Sequence, residues 1–162
     1  MVRGPAVTSP RASSPLWPRV LLRYLAAVGM GGLVWEFAQM PLYTIWQTLN
    51  GGSIAYAAVH CWVGDLLIAA SCLGVAILIS DRNWPSRHYG RTAVLATALG
   101  VISTILLEWL NVDLLQNWAY APSMPVLPFL GTGLSPLLQW LILPPVAFAW
   151  ARSREAEFVR WL

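Results

Sequence analysis

The chain has 162 residues, of which 57% are hydrophobic and 10% charged, with a formal net charge of +3. So apolar a composition excludes an ordinary soluble domain and points to an integral membrane protein. Nor is the basic excess a nucleic-acid footprint, because the arginines flank apolar runs instead of gathering on a soluble basic face.

Residues 1–19 mix Pro5, Pro10, Pro15 and Pro18 with Ser9, Ser13 and Ser14. A segment of this composition cannot bury a core and reads as a disordered tail. Apolar runs follow at 20–41, 54–79, 92–110 and 134–151, each close to the roughly 20 residues that cross a bilayer as a helix. The first opens with Arg23, whose long side chain can snorkel to the headgroups; it is too long, and too polar at Glu36, for a cleaved signal peptide. Together the runs predict an all-α fold, a four-helix transmembrane bundle.

The connections set the topology. All the basic residues are arginines, placed before or at the start of the first span, between spans two and three (Arg82, Arg87, Arg91), and after span four (Arg152, Arg154, Arg160). Residues 42–53 and 111–133 contain none. By the positive-inside rule both termini and the middle loop are cytoplasmic. Arginine used without lysine, beside abundant alanine, suggests a GC-rich bacterial genome and therefore the plasma membrane as the address. Residues 118–133 are uncharged and rich in proline, which suits a lid over the outer helix ends, since irregular backbone at membrane depth needs protein cover. Ser135 and Pro136 look like an N-cap and first helical residue. Pro144 and Pro145 fall inside span four and predict a kinked helix. The tail 152–162 alternates charged and apolar residues, as expected of an amphipathic helix on the inner surface. Cys61 and Cys72 are eleven residues apart in one span, about 16 Å along a helix, so they cannot bridge each other.

Each span carries a residue that lipid does not tolerate: Glu36, His60 with Asp65, Glu108 and Gln139. Charges at this depth face the bundle interior and mark functional sites. Rise per residue puts Glu36, His60 and Gln139 about 8–9 Å below the outer ends of their spans and Glu108 about 3 Å in, with Asp65 near the midplane. At about 100° per residue, Glu36 shares a face with Gly29 and Gly32, His60 with Ala57 and Gly64, and Glu108 with Thr97, Thr104 and Asn111. Asp65 lies about 140° from His60 around the helix and is expected to face elsewhere.

This pattern assigns Glu36, His60 and Glu108 to an acid/base centre in the outer half, with Asp65, Asn111, Tyr120 and Gln139 as ligand-binding residues. Close carboxyl groups beside an imidazole can share and move a proton. The same residues form a hard mixed donor set for iron, manganese or zinc, but a four-helix di-metal site needs two Glu-x-x-His pairs and the spans hold one histidine. No cofactor is therefore expected, with a metal held by carboxylates and the imidazole as the lesser alternative. The partners expected are membrane lipids and a hydrophobic small molecule such as a lipid, quinone or isoprenoid, and a second copy or another membrane protein can be accommodated. Two other functions fit the same residues. In one, the protein is an assembly subunit whose buried polar groups are interhelical glue. In the other it is a small carrier or proton conductor, although the inner halves of the spans offer no ionisable residue beyond Arg23 to complete a path.

Overall fold

The computed structural model describes residues 16–48 and 50–160. Five helices account for most of them: α1 (Leu16–Gln39), the short α2 (Ile45–Thr48), α3 (Gly51–Ser80), α4 (Tyr89–Glu108) and α5 (Leu134–Arg160). A 3-10 turn, Met40–Leu42, extends α1, and a π-helical turn, Trp109–Leu114, extends α4. Among the described residues four helices are long and apolar enough to cross a membrane, at Leu16–Leu42, Gly51–Ser80, Tyr89–Leu114 and Leu134–Ser153. No strand is present among them; two isolated antiparallel bridges, Tyr43 to Tyr120 and Val126 to Gly133, are the extended pairings. The fold is a four-helix bundle in which α1 and α4 each pack against both α3 and α5.

Several boundaries differ from the sequence reading, for local reasons. Helix α1 is already formed at Leu16, the first described residue. Residues 16–19 are thus helix and not tail, and residues 1–15 lie outside the described part. Helix α5 does not end at the membrane surface to release a separate tail: its backbone runs unbroken to Arg160, while the side chains from 154 onward, and with them the expected amphipathic face, lie outside the description. Both Pro144 and Pro145 sit within this continuous helix, and Pro144 is fully buried. Ser135 is not a cap. Helix α5 begins one residue earlier, and the Ser135 hydroxyl donates to Gln39 Oε1 (2.9 Å) while accepting from Trp35 Nε1 (3.2 Å), tying α5 to α1.

One end of the bundle is held by a packed core, with a smaller cavity of about 350 Å³ at its margin beside Val20 and Tyr89. Val20, Tyr24, Leu73, Ala76, Ala96, Ala147 and Phe148 belong to one buried cluster, with the Tyr24 and Phe148 rings stacked at 4.2 Å and the Tyr89 hydroxyl donating to the Phe148 carbonyl (2.7 Å). Where lipid removes most of the hydrophobic drive, such close packing and interhelical hydrogen bonds are what hold helices together. Small residues make it possible: a Cβ at Gly100 would fall 2.2 Å from the Trp140 ring, so α4 admits the indole only because that side chain is missing. Trp140 belongs to the solid cluster and also faces the space above it.

Candidate functional site

Above Trp140 the helices enclose a cavity of about 720 Å³. It lies where α1 ends, α3 begins, α4 gives way to its π-turn and α5 begins, and it is the place where the polar residues of all four spans converge. Every residue assigned from sequence lines it except Tyr120, which touches a lining residue.

Helix α1 supplies Glu36 and, one turn on, Gln39, both buried. The Gln39 amide donates to Glu36 Oε1 (2.9 Å) and, through its oxygen, accepts from Ser135. Gly32 lies beside them, within ordinary contact distance of Trp62 and Gln139. Across the bundle, the Gln139 amide donates to Asp65 Oδ2 (2.6 Å), a diagonal link between α5 and α3. Asp65 and Glu36 line the cavity together, near enough for their carboxyl groups to interact, and like-charged carboxylates so placed favour a shared proton or a cation beside them. Asp65 thus faces the cavity, contrary to the helical-phase expectation.

Glu108 forms the other side. Its carboxylate accepts a hydrogen bond from the Tyr120 hydroxyl, which in turn accepts from the Gly133 amide (2.9 Å). Burial, then the adjacent carboxylate, pushes the Tyr120 phenol above its ordinary value, so it stays a donor at physiological pH. The proline-rich segment that carries Tyr120 is pinned across this end of the bundle: Ala121 N donates to Leu42 O (2.9 Å), Thr44 N to Ala119 O (2.9 Å), and Leu134 N to Pro125 O (2.7 Å). Asn111, in the π-turn, donates to Leu107 O (2.8 Å) and accepts from Asn117 (2.8 Å). Extra turns of this kind often sit at functional sites because they rotate side chains off the regular helical register.

Two polar groups at the cavity have no partner. The Thr104 hydroxyl is buried, with 5% of the residue exposed, and makes no hydrogen bond. The Trp118 indole N–H lies near the Glu108 carboxylate but does not reach hydrogen-bonding geometry. A buried hydroxyl without a partner is unusual enough to require an explanation.

The cavity reaches the side of the bundle between α3 and α4. Tyr56 (73% exposed) and His60 on α3, and Leu107 on α4, line it and are exposed at the bundle surface, and a Cβ at Gly64 would meet nothing within 4 Å. Deeper down, Cys72 Sγ and Ser103 Oγ close the same seam at 3.8 Å.

His60 thus occupies the mouth and stacks on Tyr56 (centroids 6.0 Å apart), while Asp65 takes the interior place. The two cannot both point inward from positions about 140° apart, and hydropathy does not say which one does. Among the described residues no three of His, Cys, Asp and Glu are placed to hold a metal ion. The sequence reading passed over Gln39, which carried a usable signal, an amide one turn from Glu36 in an apolar run. Comparison with known protein families, curated proteins and solved structures finds no match for this chain.

Proposed function

We propose that this is a plasma-membrane protein with cytoplasmic termini that binds, and carries out acid/base chemistry on, a membrane-resident small molecule such as a lipid, quinone or isoprenoid. The observation that carries the reading is the cavity of about 720 Å³ in which Glu36, Asp65 and Glu108 converge beside an unpartnered Thr104 hydroxyl. Interhelical glue has no use for that empty volume. Ligand pockets commonly occupy about 300–1,000 Å³ and combine apolar walls with a few polar groups. The Glu36 and Asp65 pair can hold and release a proton at the bound molecule, and Glu108 with the Tyr120 hydroxyl can orient it. Positive-inside placement of the arginines supports a cavity in the outer leaflet half.

A second reading draws on the bonds Gln39 to Glu36, Ser135 to Gln39 and Gln139 to Asp65, which join α1, α3 and α5 and suit an assembly subunit. A lipidomic comparison separates the two. Cells lacking the protein should differ from wild type in a membrane-resident small molecule, and Glu108→Gln should reproduce that difference with the thermal stability of the purified protein unchanged. Unaltered lipids and a fully functional variant would overturn the catalytic reading.

A further inference from the structure

We propose that the molecule bound in this cavity is a lipophilic organic cation, a quaternary-ammonium-like or phosphonium-like centre on an apolar body, admitted from the lipid between α3 and α4. This deepens the preceding proposal and rests on the cavity being a ligand site.

The charge pattern is one-sided. Three carboxyl groups line the cavity, with His60 at its mouth; no arginine lines it, and the chain has no lysine. The protein offers each acid a neutral donor: Gln39 to Glu36, Gln139 to Asp65 and Tyr120 to Glu108. A carboxylate has about four acceptor sites, so each keeps unused capacity toward the cavity. Acids in such a cavity are stable when paired, and two carboxyls lining it side by side favour a proton or a cation beside them.

The charge must be diffuse and attached to bulk. Among the described residues no three donors are placed closely enough to hold a compact metal ion, and a bare ion would fill little of about 720 Å³. Tyr43, Tyr56, Trp118 and Trp140 line the same space, and aromatic faces attract diffuse cations. The Thr104 hydroxyl, 5% exposed and without a partner, points to an occupant with a polar substituent below the level of Glu108. The opening lies beside Gly64, where the missing side chain leaves open space, so an amphiphile can slide in laterally with its apolar body still in lipid.

Full-length protein in phosphatidylglycerol nanodiscs, probed with radiolabelled tetraphenylphosphonium, tests this. The expected result is saturable binding to wild type that triphenylphosphine oxide, uncharged and of similar shape, does not displace. Asp65→Asn should weaken binding by at least about tenfold, the scale of losing one buried charge partner. Gly64→Leu, which leaves every carboxyl in place, should slow association. Equal competition by the oxide, or unchanged binding by both variants, overturns the cationic assignment. Saturable binding of the oxide alone overturns it while leaving the cavity a ligand site, and binding of neither probe contradicts both proposals.

Discussion

The two ends of this bundle are built from the same four helices on opposite principles. Around Tyr24, Leu73 and Phe148 the side chains close on one another, with no carboxyl group among them and Arg152 at the edge over the Tyr89 ring. Beyond Trp140 the helices keep their spacing but leave a space edged by acids, amides and aromatic rings. The solid end can supply the stability that the hollow end forgoes, the usual division between a packed scaffold and a site kept available for a ligand.

The partition itself gives the largest predicted effect. Gly100→Leu drives a side chain into the Trp140 ring, which a Cβ alone would approach to 2.2 Å. Overpacking of this degree should cost about 3 kcal/mol and collapse both ends together in detergent melts. A mild effect would mean that Trp140 does not separate them. Next, Leu73→Ala in the solid end should cost about 2 kcal/mol through lost packing. Gln139→Leu in the hollow end, at a residue no less buried in practice, should cost only about 1 kcal/mol, the scale of one interhelical hydrogen bond. If Gln139→Leu proved the more damaging of the two, the polar end would be glue and the contrast would fail.

The smallest effect lies outside the membrane segments. At the start of the loop after α3, the Asp81 carboxylate accepts from the backbone N–H (2.8 Å) and side-chain amide (2.9 Å) of Asn83. These bonds, the backbone one foremost, hold it below the usual carboxylate range. A folded-state value below the unfolded one means that the contribution is present above about pH 4 and is lost as pH falls through the lower folded value. Amide exchange at Asn83 should therefore be insensitive to protonation of Asp81 between pH 7 and 5, with protection failing only in stronger acid. Asp81→Ala should remove that transition and leave the melting of the bundle unchanged.

Much of this contrast was legible in the sequence. Apolar runs gave four helices, and the depth of Glu36, Glu108 and Gln139 brought them to the same half of the bundle because a straight span converts residue number directly into height. Azimuth was less readable. Helical phase correctly grouped Thr104 and Asn111 with Glu108, yet it could not choose between His60 and Asp65 on α3, since both sides of that helix have neighbours, one protein and one lipid. Ser135 misled because the same hydroxyl that can cap a helix can also reach a neighbouring one, and only tertiary proximity to Trp35 and Gln39 decided it. Long-range pairs such as Tyr120 with Glu108 depend on how a proline-rich segment crosses the bundle, which no local pattern encodes.

The two native cysteines report directly on the two ends: Cys61 is half-buried on the cavity wall, and Cys72 is buried in the closed seam beside Ser103. The decisive measurement is modification of the membrane-embedded protein with a lipid-permeable maleimide, followed by peptide mass spectrometry. Cys61 should react at least about tenfold faster than Cys72, because access limits a buried thiol, and a bound occupant of the cavity should protect it. Equal rates at the two thiols, or a Cys61 as inert as Cys72, would contradict a bundle that is solid at one end and open at the other.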